Sequence, residues 1–102
     1  MNYTGLLPIG SIVTLKDMEN QEVMIIGYCP RKAEENGKIF DYCGCLHPIG
    51  LLAPDSALLF NHDQIQRIRV IGYLSDASYA VLPRMEEILT DLRKKASGDG
   101  SV

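Results

Sequence analysis

The chain has 102 residues, 46% of them apolar, with 10 Lys and Arg against 13 Asp and Glu and a net charge of −3. That length supports one domain around one core. The acidic balance and the scattered basic residues argue against nucleic acid as a partner, and no apolar stretch approaches the ~20 residues of a membrane span. The N-terminus lacks a basic segment followed by a continuous apolar one, and the cysteines, Cys29, Cys43 and Cys45, are odd in number. A cytoplasmic protein with free thiols is the expectation.

Residues 1–5 read as a flexible N-terminus, followed by a single domain over 6–96. Pro8 and Gly10 introduce a first strand over Ser11 to Lys16. Asp17 to Gln21 is a polar turn of hairpin length, and a second strand runs from Glu22 to Tyr28. Its continuous run Val23-Met24-Ile25-Ile26 predicts burial on both faces. Pro30 to Lys38 reads as a charged loop, with Asn36-Gly37 turning the chain into a third strand over Ile39 to Leu46. Ala57 to Phe60 is a brief fourth strand. Asn61 is expected to cap a turn at His62 to Gln64. In a last strand, Ile65 to Leu74, Ile68 and Val70 are expected to face the core while Arg67 and Arg69 face water.

The period then changes. Val81, Leu82, Met85, Ile88, Leu89, Leu92 and Ala96 recur at three- and four-residue steps, so a helix is predicted over about 79–96. Ser75, Asp76 or Ser78 would cap it, and Pro83 fits only within the first turn or at a kink. A disordered tail at 97–102 follows. The fold class is therefore mainly β (α+β): a small, strongly bent antiparallel sheet or barrel of about five strands, spanning 11–74, with one C-terminal amphipathic helix.

Cys43, Cys45 and His47 form a Cys-x-Cys-x-His triplet that projects from one face of a regular strand, with Asp41 on the same face. Cys29 and His62 could complete a thiolate and imidazole metal site. Against this, structural zinc sites take paired ligands from tight turns, and no second pair is present. No metal or other cofactor is expected. A thiol nucleophile would need a nearby base and an oxyanion hole that nothing local supplies. Asp41, Asp55 and Asp63 are the available carboxylates, and phosphate-loop, dinucleotide and zinc-protease motifs are missing. A non-catalytic protein is the expectation. The helical stripe, Tyr79, Leu82, Met85, Leu89 and Leu92, either covers its own sheet or docks a protein partner.

Five segments in order carry a resemblance. They are Leu7-Pro8-Ile9-Gly10-Ser11-Ile12-Val13 with Leu15-Lys16, Val23 to Gly27, Phe40-Asp41-Tyr42 with Gly44-Cys45-Leu46, Pro48 and Gly50, then Phe60-Asn61-His62 with Ile65, and Ile71-Gly72-Tyr73. Together they resemble domain-of-unknown-function family 4176 of low-GC Gram-positive bacteria. The resemblance implies a small protein encoded beside type VII secretion genes and their LXG-domain toxins. It thus implies a cytoplasmic adaptor or chaperone that binds such a toxin. The alternatives are a metal- or redox-responsive module on Cys43, Cys45 and His47, and a structural homodimer.

Overall fold

The computed structural model describes residues 5–28, 31–32 and 38–101, with the side chains at 31, 32, 38 and 95–101 left out of the description. The expected flexibility of residues 1–4, the Asn36-Gly37 turn and Cys29 as a ligand all lie outside the described residues, and so do the side chains of the expected tail.

Five antiparallel strands form an open sheet in the order β6-β5-β2-β1-β7. They are β1 (Ile12–Leu15), β2 (Met18–Tyr28), β5 (Tyr42–His47), β6 (Leu58–Phe60) and β7 (Ile65–Val70). A separate pair, β3 (Arg31–Lys32) with β4 (Lys38–Ile39), stands where the sequence reads as a charged loop. The predicted third strand is thus broken at Phe40-Asp41 into β4 and β5. The hairpin between β1 and β2 turns at Lys16-Asp17, tighter than expected. The register jumps from Thr14↔Glu22 to Leu15↔Met18, so 19–21 bulge from β2 instead of forming the turn.

The sheet is curled by its shortest connection. β6 and β7 lie at opposite edges, yet only residues 61–64 join them, and His62–Gln64 form a 3₁₀ turn. A flat five-strand sheet would hold its outer strands ~19 Å apart. Five extended Cα steps reach at most ~18 Å, and a 3₁₀ turn far less. The strands must therefore wrap, and bulges supply the bend: the β2–β5 register shifts between Ile25 and Gly27, and the β1–β7 register shifts twice.

Those shifts change the face assignment in β7. Leu15 pairs with Ile65 but Thr14 with Arg67, leaving Gln66 as the extra residue. Ile65 and Ile68, three apart, then both pack on the core, while Val70 is exposed. The simple alternation that placed Val70 inside fails because the second shift, from Val13↔Ile68 to Ile12↔Val70, leaves Arg69 extra and reverses the sense of the pleat.

The core gathers Leu7, Val13, Val23, Ile25, Tyr42 and Phe60, all fully buried. Central β2 buries Val23 and Ile25 completely and Met24 and Ile26 in part, so only one face of the apolar run is sealed. Gly44 lets β5 approach its neighbours. A Cβ there would lie 2.7 Å from the Val23 side chain and 3.0 Å from the Phe60 ring. At Gly72 a Cβ would sit 2.2 Å from the Ile9 carbonyl oxygen, so the Pro8–Ser11 turn and the exit from β7 cross backbone to backbone. The Ser11 hydroxyl ties the crossing, donating to the Pro8 carbonyl and accepting from the Gly72 N–H.

One helix, α1 (Asp76–Ser101), closes the chain. It begins three residues before the predicted start because Ser75 and Ser78 cap it reciprocally, each backbone N–H donating to the other's hydroxyl. Pro83 consequently lies in the helix interior rather than its first turn. Leu82 and Leu89 are buried in the same core cluster as the sheet residues. Among the described residues no helix is long and apolar enough to cross a membrane.

Candidate functional site

A polar cluster forms where β5, the 3₁₀ turn and α1 meet. Asp41 enters β5 and is almost fully buried. Its Oδ2 accepts the His62 backbone N–H at 2.7 Å, and its own N–H donates to Asn61 Oδ1 at 3.0 Å. Asn61 therefore does not cap the turn with its side chain. That oxygen is taken by Asp41 and by Arg93, whose Nη2 donates to it at 2.9 Å. Arg93 Nη1 meets Asp41 Oδ1 at 2.8 Å, closing an Asp41–Asn61–Arg93 clamp between sheet and helix.

Tyr42 continues the network inward. Its hydroxyl accepts the Leu7 backbone N–H at 3.0 Å and lies 2.7 Å from His62 Nδ1. The Tyr28 hydroxyl donates to the Leu7 carbonyl, so two tyrosines hold both backbone groups of one residue. The rings of Tyr28, Tyr42, Phe60 and His62 stack in tilted pairs with centroids 5.3–6.1 Å apart. On the helix side, Glu86 Oε2 accepts the Leu6 N–H at 3.1 Å. The N-terminal segment is thereby pinned between sheet and helix.

These groups border a cleft of about 210 Å³ lined by Gly5, Leu6, Asp41, His62, Glu86, Leu89, Thr90 and Arg93. It is small and polar, and its guanidinium, Arg93, is paired with Asp41. An anion could reach Arg93 only by competing with Asp41. Among the described residues every buried polar side-chain atom has a hydrogen-bond partner. The arrangement holds elements together more readily than it activates a nucleophile.

Among the described residues the Cys-x-Cys-x-His triplet gathers no further ligand. Cys43 is half-buried opposite Gly27 and Leu59, Cys45 is buried opposite Met24, and His47 is exposed opposite Glu22. Asp41 and His62, the supporting groups expected for a metal or a thiol, are engaged in the clamp. Among the described residues no three or more His, Cys, Asp or Glu side chains gather as a metal site. Burial, and then the charge of Cys45, raise the Cys43 thiol above its ordinary value of 9.0, which keeps it a thiol near neutrality.

The predicted partner stripe divides. Leu82 and Leu89 are 8% and 3% exposed, so they belong to the chain's own core. Met85 and Leu92 are half-buried, and Tyr79 is exposed. Sequence reasoning missed Glu86 and Arg93, although their spacing gives them away. Leu82, Glu86, Leu89 and Arg93 step by four, three and four along α1, the leucines buried and the two charged side chains exposed beside them. Beside them Val81, Met85, Ile88 and Leu92 form a second row of the same spacing. Val81 and Ile88 in that row are each 46% exposed.

The fold and clamp define a small α+β domain in which a curled antiparallel sheet is clasped by one helix. A family model described as Domain of unknown function (DUF4176) matches residues 6–80, and the chain belongs to that family. The match covers Asp41, Tyr42, Asn61 and His62 but ends before Glu86 and Arg93. No curated protein and no solved structure matches the chain.

Proposed function

We propose that this chain is a non-catalytic cytoplasmic accessory factor that binds a protein partner through the second row of α1. The observation that carries this reading is the row itself. Val81, Met85, Ile88 and Leu92 repeat at the four-three-four spacing of a coiled-coil seam; Met85 also packs against the core, and Val81 and Ile88 stand 46% exposed. A helix offering such a seam fits a helical partner segment. Exposed Arg84 and Asp91, three residues beyond Val81 and Ile88, would set register and orientation through one charge of each sign. The engagement of Asp41, His62, Glu86 and Arg93 in structural contacts favours binding over turnover. Family membership extends the proposal to its partner: the N-terminal region of an LXG-domain toxin encoded beside it, for which the chain would serve as adaptor or chaperone.

The test is co-expression with that toxin region, followed by pull-down and size exclusion. The expected result is a stable complex without chemical change in either chain. Failure to co-elute at concentrations that report micromolar affinity would overturn the proposal.

A further inference from the structure

The two edges of the sheet differ in kind. Edge strand β7 carries Arg67 and Arg69 and two bulges, the usual devices that prevent strands from pairing across molecules. Antiparallel self-pairing of β7 would also bring arginines from two copies together. Edge strand β6 is Leu58-Leu59-Phe60, without charge, proline or a register shift. Beside it lies a cleft of about 440 Å³, lined by Leu15, Met18, Leu58, Leu59, Phe60 and Gln64 and by the charged Lys16, Asp17 and Asp63. Leu58 and Leu59 point to opposite faces of the sheet, so a cleft touching both runs along the strand edge. It marks the gap where the curled sheet stops short of closing.

Ahead of β6, before residues 53–57, the chain exposes a run of large apolar side chains: Ile49, Leu51 and Leu52, the last 80% exposed. The segment is held out by a tight reversal in which the Gly50 N–H donates to the Leu46 carbonyl at 2.7 Å. A 3₁₀ turn, Pro54–Ser56, follows it. The exposed segment thus precedes the strand, and Asp63 and Gln64 at the cleft follow it.

We propose that β6 pairs antiparallel with β6 of a second copy, joining two sheets about a two-fold axis. Antiparallel pairing sets the residues before one β6 against those after the other. Each Leu51-Leu52 segment then reaches its partner's cleft beside Gln64. The contact is isologous, so it closes on a dimer instead of growing into a filament. The three residues of β6 carry no charge, so pairing within the strand sets no like charges together, as it would in β7. The dimer goes beyond partner binding through α1 and leaves the Val81–Leu92 row available.

Sedimentation velocity of the full chain across a concentration series tests this, with Leu52→Asp and Ile88→Asp beside the parent. The parent is expected to dimerise. Leu52→Asp should weaken the dimer at least about tenfold without changing the melting temperature in dilute solution, where the parent too is monomeric, because the side chain is exposed there. Hydrogen exchange at 58–60 should slow as the parent is concentrated. A parent that stays monomeric overturns the proposal, as does a dimer indifferent to Leu52→Asp or one broken by Ile88→Asp alone. A monomer that still co-purifies with the toxin region would sink this dimer while leaving the α1 reading intact.

Discussion

The two rows of α1 have the same spacing and meet the sheet differently. Leu82 and Leu89 are buried in the core, while Glu86 and Arg93 are exposed beside them and reach back to the Leu6 N–H and to Asp41 and Asn61. Val81, Met85, Ile88 and Leu92 stand one residue earlier in the helix and remain partly in water. A rotation of ~100° per residue separates them. The buried face runs through both rows, along Leu82, Met85, Leu89 and Leu92 at three- and four-residue steps, and the Asp41–Arg93 pair reinforces it from the edge. Val81 and Ile88 are the apolar side chains left over.

That account predicts an ordered series of losses. Leu89→Ala should cost the most, ~2–5 kcal/mol of stability by thermal or denaturant unfolding, because it empties a packed site. Asp41→Ala strips the His62 N–H and Arg93 of a charged acceptor, and ~1.5–3 kcal/mol is the expected loss. Tyr42→Phe leaves the buried Leu7 N–H without its acceptor and should cost ~1–3 kcal/mol. Ile88→Ser should change stability by no more than ~0.5 kcal/mol, as for most exposed positions. If Ile88→Ser destabilised as much as Leu89→Ala, the two rows would not differ as described.

The smallest effect concerns Cys43. Its thiol is raised in the folded protein, so its stabilising share is fully present below the ordinary value of 9.0 and is lost as pH rises through the raised value. Alkylation of Cys43 in folded protein should therefore begin at higher pH than in urea-unfolded protein. Equal profiles in the two states would contradict the burial described.

Much of the sheet was legible because its strands are punctuated by turn residues. Pro8, Gly10, Gly27, Gly50 and Gly72 mark the bends, and alternation identifies the paired runs. The bulges were not legible. Nothing in Gln66 or Glu19-Asn20-Gln21 announces an extra residue, because a bulge answers to the neighbouring strand's register. The same limit applies to the clamp. Asp41, Asn61 and His62 stood out as a pattern but read as strand end and capped turn. Arg93 read as a charge offsetting a helix end, whereas the helix continues to Ser101 and Arg93 turns back to the sheet. The helix period was plain. The face that turns in, Leu82, Met85, Leu89 and Leu92, lies within the predicted stripe; the Arg93 contact was hidden because its carboxylate is distant in the chain.

The affinity of the chain for the toxin's N-terminal region, measured by titration calorimetry, tests the central claim most directly. The Val81→Asp, Ile88→Asp double variant is compared with the parent and with Tyr73→Ala, a change at an exposed aromatic outside α1. Burying two carboxylates in a helical seam should weaken binding at least about a hundredfold, with melting unchanged and Tyr73→Ala binding like the parent. Equal affinity for the double variant and the parent would contradict the account and move the binding surface off the helix.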